Sequence, residues 1–175
     1  MGKQLHKHLQ RLERVWIDDP IYFVTACTYQ RKRVLANRLV AEILVDEWTK
    51  ADSQHGWLVG RYVIMPDHVH FFCAARGGAK SLSEFMRLWK QWVGKRIRQG
   101  GPRLASAATT AGTTTAAGAV QGRVWQREFF DHVLRSEESY AQQWEYVRQN
   151  PVRAGLVPRA EDWPYQGEIW PLQRL

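Results

Sequence analysis

The chain has 175 residues, with 25 Lys plus Arg against 17 Asp plus Glu and a formal net charge of +8. A domain of this length removes about two thirds of its unfolded surface from water on folding, and nine Trp, six Tyr and six Phe supply much of the core. The positive balance favours a phosphate-bearing partner, and no apolar run approaches the roughly 20 residues that cross a bilayer. Two isolated cysteines, Cys27 and Cys73, exclude a disulfide scaffold and a closely spaced zinc clip.

The N-terminal segment to about Asp19 reads as a basic arm carrying Arg11 and Arg14. It lacks the apolar stretch of a signal peptide, so the expected location is the cytoplasm, in association with the bacterial nucleoid. Residues 22–28 are rich in β-branched and aromatic side chains and read as a strand. Leu39, Ile43, Leu44 and Trp48 recur at helical spacing within a helix expected over residues 36–53. Strands follow over 57–64 and 68–74, joined through Met65-Pro66-Asp67 as a hairpin. Ser81 and Glu84 form a capping box that opens a helix to Gln99, with Leu82, Phe85, Met86, Trp89, Trp92 and Val93 as its apolar stripe. Its other face holds Arg87, Lys90, Lys95, Arg96 and Arg98 with almost no acidic residue beside them.

Residues 105–122 are low in complexity and nearly free of core-building side chains, the composition of a flexible loop. A strand is expected over 124–134 and a helix over 136–149, stopped at Asn150-Pro151 because the residue before proline disfavours helical geometry. The tail, 152–175, carries Trp163, Tyr165 and Trp170 and reads as irregular chain packed by its aromatics. The order strand, helix, strand, strand, helix, strand gives an α+β class, the ferredoxin-like βαββαβ antiparallel sheet with an additional C-terminal helix, in a single domain spanning 1–175.

His68 and His70 flank Val69 on the predicted third strand, so both imidazoles project from one face, a pair able to hold a divalent metal. Tyr146 and Asn150 lie four apart on the last helix and share a side of it. If that side docks on the histidine face, Asn150 supplies an amide oxygen as third ligand and Tyr146 a hydroxyl beside the metal. Imidazole and amide ligands with open positions suit Mg²⁺ or Mn²⁺ in function, although Zn²⁺ binds such nitrogens more tightly. The metal would polarise a phosphodiester, and Tyr146 would attack it to form a covalent phosphotyrosine. A phenol is mostly protonated at pH 7 and needs help from a base or cation. Tyr140 is the rival nucleophile, but the residue four beyond it, Trp144, cannot ligate a metal. His132 reads as a structural histidine. Arg11, Arg14, Arg87, Lys90, Lys95, Arg96, Arg148 and Arg153 are the candidate DNA contacts.

Four blocks resemble the REP-associated tyrosine transposases, within the HUH single-strand endonucleases that use one catalytic tyrosine. They are Val63-Ile64-Met65-Pro66-Asp67-His68-Val69-His70; Phe130-Asp131-His132-Val133-Leu134-Arg135; the run from Tyr146 through Asn150-Pro151 to Val157; and Glu161-Asp162-Trp163-Pro164-Tyr165. The resemblance implies that His68, His70 and Asn150 are metal ligands and Tyr146 the nucleophile. It further implies cleavage of single-stranded DNA bearing REP-type hairpins, with a 5′-phosphotyrosine and a free 3′-hydroxyl. Asp67 stands where the family commonly has asparagine, and the Ala/Thr-rich stretch from Ala105 is unusual. A non-catalytic nucleic-acid-binding module with an RRM-like sheet is the alternative, and both a monomer and a homodimer stay open.

Overall fold

A computed structural model describes residues 20–100, 122–134 and 137–172. The arm at 1–19, with Arg11 and Arg14, lies outside the described residues, as do residues 105–121 of the loop expected over 105–122. Strand β1 (Ile21–Cys27) is followed by a 3-10 turn (Tyr29–Arg31), helix α1 (Arg38–His55), the hairpin β2 (Trp57–Ile64) and β3 (His68–Ala75), and helix α2 (Leu82–Gln99). Strand β4 (Phe130–Leu134), helix α3 (Glu137–Arg148), a short helix α4 (Asn150–Arg153), a 3-10 turn at Ala160–Asp162 and strand β5 (Gln166–Glu168) complete the order. The sheet runs β4-β1-β3-β2-β5 with every pairing antiparallel. Its first four strands have the ferredoxin-like order, and β1 and β3 lie inside the sheet as expected.

Alternation along the strands divides the chain between two faces. Tyr22, Val24 and Ala26 of β1 and Val69, Phe71 and Cys73 of β3 pack into the principal core with α1 and α2. Asn37 caps α1 by accepting a 3.0 Å bond from the Val40 amide, and Val40, Leu44, Trp48 and Ala51 form the buried stripe. The helix ends at Gly56 in the left-handed region, φ 76°, where a Cβ would stand 2.8 Å from the Ala79 Cα, so glycine is required twice over. Ser81 caps α2 through the Glu84 amide, as its capping box predicts. Trp48 and Trp89 stack with centroids 5.6 Å apart and planes 5° apart, locking α1 to α2. Each such fully buried side chain contributes about 1.5–3 kcal/mol relative to exposure.

Several expectations are corrected here. The strand expected from Val124 begins only at Phe130, because Val124 and Trp125 are both buried rather than alternating. Trp125 reaches into the α2 core, 5.0 Å from Trp89, and makes only an isolated bridge to Thr28. Helix α3 ends at Arg148, as the stop at Asn150-Pro151 predicts, and the separate helix α4 then starts with Pro in its first turn, where its missing N–H costs nothing. The tail is not wholly irregular, since β5 pairs with Arg61, Tyr62 and Val63 of β2 and the Trp163 Nε1–H donates to the Ile64 carbonyl at 3.0 Å. Trp92 also departs from its predicted stripe, being 43% exposed with the Lys95 amine 5.1 Å above its ring.

Candidate active site

The second sheet face carries His68, His70 and Phe72 from β3 and Phe23 and Thr25 from β1. Helix α3 covers only part of it. Tyr140 packs edge-on to Phe72 at 4.8 Å and Trp144 lies 6.4 Å from the same ring, while Val147 joins Val63, Met65 and Trp163. These three residues form one inward-facing stripe at i, i+4 and i+7, partly buried at Tyr140 and Trp144 and fully at Val147, which seats the helix against Phe72 and Val63. Tyr140 is therefore core, with its hydroxyl pushed up to about 12, chiefly by burial. Tyr146 stands off that stripe and is 62% exposed.

Both histidines are held at Nδ1. His70 and Thr25 are directly opposed in the β1–β3 register, and Thr25 Oγ1 lies 2.8 Å from His70 Nδ1. His68 Nδ1 lies 2.6 Å from Asp67 Oδ1, and the other oxygen of Asp67 pairs with Arg31 Nε at 2.9 Å. The ionised Asp67 can only accept, which makes His68 Nδ1 the donor. His68 thus keeps its Nε2 lone pair for a ligand, and His70 does the same in the tautomer whose Nδ1–H donates to Thr25 Oγ1; the two rings meet nearly perpendicular with centroids 4.7 Å apart. Phe23 stacks on His70 at 5.4 Å and fixes its plane.

Electrostatics keep these imidazoles neutral. Burial, reinforced by the charges of His68, Arg31 and Arg153, pushes His70 down to about 3. Burial also lowers His68, against the upward pull of Asp67. Asp67 is raised by burial, but the hydrogen bond and charge of His68 and the charge of Arg31 bring it below its ordinary range. Neutral imidazole is the form that binds metal.

Arg31 reaches Asp67 through an unusual turn. Gln30 and Arg31 both have positive φ, 56° and 55°, a conformation that costs non-glycine residues free energy and persists only where the surroundings enforce it. The enforcement comes from Thr28, whose amide donates to the Asp67 carbonyl at 2.9 Å and whose side chain is fully buried, and from Arg31 Nη1 donating to Cys27 Sγ at 2.7 Å. Sequence reasoning missed Thr25, Arg31 and Thr28. The strand register gave the signal for Thr25; only the tertiary turn could have given the others.

Asn150 and Tyr146 are joined by Arg153. Its guanidinium donates to Asn150 Oδ1 and, at 2.7 Å, to the Tyr146 carbonyl, and it lies 4.2 Å from the Tyr146 ring centroid. The charge of the same Arg153 is the last of those that lower His70. The atom of Asn150 able to ligate a metal is thus engaged by an arginine. No group of three or more His, Cys, Asp or Glu able to hold a metal occurs among the described residues, so a third protein ligand would have to be of another type, as the Asn150 amide is. Two neutral imidazoles and an amide oxygen are donors of the kind a divalent ion takes.

The expected DNA-contacting cations divide. Arg96 is paired with Asp46 and with Glu47 at 2.8 Å, so the acidic counterweight missing from α2 comes from α1. Arg148 pairs with Glu161 at 2.5 Å and with Glu145 at 3.3 Å. Lys90 donates to the carbonyls of Gln126, Arg127 and Glu128 at 3.2, 2.7 and 3.4 Å, and burial, opposed by Glu128, brings it down to about 8. It clamps the chain leading to β4 against α2. Between those segments lies a cavity of about 510 Å³ lined by Arg87, Lys90, Arg98, Arg123 and Arg127, a groove rich in positive charge. His132, expected to be structural, is instead exposed on β4.

Residues 18–150 match the IS200-like transposase family, a span that includes His68, His70, Tyr146 and Asn150. The chain belongs to that family. The REP-associated tyrosine transposase of Escherichia coli K12 is 24% identical over 157 residues, 90% of this chain and 81% of the relative. A segment of 55 residues is 36% identical to a Haemophilus influenzae protein given the same name provisionally, spanning 27% of this chain and about a third, 31%, of that relative. The fold matches the solved structure of a REP-associated tyrosine transposase bound to a REP hairpin, with a TM-score of 0.63 at 20% identity over 87% of this chain and 79% of the other. The named homologues are tyrosine transposases, which are HUH-type endonucleases, and the non-catalytic alternative gives way to an enzyme. The family generally uses a divalent metal. No described helix is long and apolar enough to cross a membrane.

Proposed function

We propose that this transposase cleaves and rejoins single-stranded DNA at REP-like hairpins, with Tyr146 as nucleophile and His68, His70 and Asn150 as ligands of Mg²⁺ or Mn²⁺, on a single domain. The observation that carries the reading is the pair of neutral imidazoles on neighbouring positions of one sheet face, each held at Nδ1, His70 by Thr25 and His68 by Asp67, which leaves Nε2 of each ring for the ion. The ion, when bound, polarises the scissile phosphate and orients it. The exposed Tyr146 hydroxyl attacks phosphorus, the bond to the 3′ oxygen breaks, and a 5′-phosphotyrosine and a free 3′-hydroxyl result. Arg153 holds Asn150 and Tyr146 together across the joint between α3 and α4, and its guanidinium gives phosphate charge a counterpart beside the nucleophile.

Hairpin DNA suits the remainder of the surface. Arg87, Arg98, Arg123 and Arg127 line the groove beside α2, and Lys95 stands with the exposed Trp92 nearby on the same helix. Such a surface holds backbone phosphates without reading sequence.

Incubation with a labelled single-stranded hairpin oligonucleotide and Mn²⁺, resolved on a denaturing gel, tests the proposal. A covalent protein–DNA band is expected with the native chain, and it disappears on chelation and in Tyr146→Phe. Persistence of the band in Tyr146→Phe assigns the nucleophile elsewhere and overturns the site.

A further inference from the structure

We infer that Phe130 is a stacking platform for an unpaired nucleobase next to the scissile phosphate, an inference that rests on the cleavage site proposed above. Phe130 is 67% exposed, the largest exposure among the exposed large hydrophobic side chains of the described residues. Its placement is fixed by the sheet register. Thr25 of β1 is opposed by His70 on one side and by Phe130 on the other, so Phe130, Thr25 and His70 form one row across three strands.

The same row points to one face. Opposed residues of antiparallel strands project together, Thr25 bonds the His70 ring, and on the same face of β4, four residues beyond Phe130 and two beyond His132, Leu134 is buried against Ile21 and Phe72. Strands lie about 4.8 Å apart, which puts the Phe130 backbone roughly 10 Å from that of His70. Helix α3 closes the Leu134 end of this face and leaves the Phe130 end open. His132, two residues on and also exposed, continues the aromatic edge opposite Phe23, whose ring stacks on His70.

An unpaired base is the occupant this geometry fits. An aromatic ring standing on a flat sheet face offers its π surface, which a single-stranded base can cover and a stacked duplex base cannot. The row contains no carboxylate to repel a DNA strand. A base seated on Phe130 places its own phosphate toward the histidines, so the contact holds the strand in register with the cutting site.

Binding without cleavage isolates the contact. In a chelating buffer, fluorescence anisotropy would be followed with a labelled oligothymidine of about ten nucleotides and with an abasic strand of the same length. Phe130→Ala is expected to weaken oligothymidine binding about 5- to 150-fold, the span of one base–aromatic stack, and to weaken abasic binding by less than about twofold. Phe130→Tyr is expected to restore the native value. Unchanged oligothymidine binding in Phe130→Ala overturns the inference, and so does an equal loss on both strands, which would report a folding defect or a phosphate effect. The cleavage reading fails separately, through absence of the covalent adduct, and leaves this binding cycle readable.

Discussion

Thr25→Val removes one atom that the proposed metal site depends on while nearly conserving side-chain volume. In the native chain Thr25 Oγ1 lies 2.8 Å from His70 Nδ1, and no other hydrogen bond to that ring is present among the described residues. Valine leaves His70 Nδ1 without its hydroxyl partner at a partly buried position, at a cost of about 1–3 kcal/mol to folding. The same loss frees the ring to flip or to shift its proton to Nε2, where it blocks the lone pair a metal needs. Loss of an outer-shell partner of a metal-bound histidine lowers affinity about 10- to 100-fold, or about 1.4–2.8 kcal/mol. Mn²⁺ titration followed by electron paramagnetic resonance reads the affinity, with thermal unfolding to confirm the fold. Thr25→Ser keeps the hydroxyl and should bind like the native chain. An affinity for Thr25→Val within about twofold of native, with the protein folded, refutes the orienting role of Nδ1 and with it the choice of Nε2 as ligand.

Acid should erode stability through His70: its folded value near 3 against an ordinary 6.5 means that the unfolded chain binds the extra proton between those limits. Stability then falls as pH drops through that interval, by about 1.4 kcal/mol per pH unit from this group, and His70→Gln should flatten the decline in urea unfolding curves. Arg96→Ala should leave the salt dependence of DNA binding unchanged, because the guanidinium is engaged by Asp46 and Glu47, whereas Arg87→Ala or Arg127→Ala should each reduce the slope of log affinity against log salt by about 1. Lys90→Met should lower stability by about 1–3 kcal/mol, as three carbonyls lose their donor, and a thermal melt unchanged by it would show that the clamp contributes nothing.

Periodicity and register made the fold and the histidine half of the site legible. His68 and His70 could be placed because strand alternation is strict, and a central antiparallel pair leaves little freedom in which face they take. The basic face of α2 is visible in sequence only as a helical stripe, and a helical wheel cannot show that a neighbouring helix brings Asp46 and Glu47 to Arg96. Consecutive burial of Val124 and Trp125 likewise has no sequence period, since it arises from a chain diving under α2 with Lys90 holding its carbonyls. The turn at Gln30 and Arg31 is the extreme case. No propensity favours two positive φ angles there, and only the buried bonds from Thr28 and the pairing with Asp67 make that conformation the one adopted.

Asp67 explains how an apparent departure from the family pattern can leave the histidines in working order. A bare carboxylate beside His68 would favour the charged imidazolium, a form that cannot ligate. Here Arg31 divides the carboxylate's attention, taking one oxygen while His68 takes the other, and burial outweighs the remaining pull so that His68 stays below its ordinary value. Arg31→Ala should therefore raise the pH below which Mn²⁺ affinity is lost, because Asp67 then acts on His68 undivided, while Arg31→Ala combined with Asp67→Asn should bring it back down. A pH profile that Arg31→Ala leaves unmoved would mean that the strained turn serves something other than the tautomer of His68, and the pairing of Arg31 with Asp67 would be a fold contact alone.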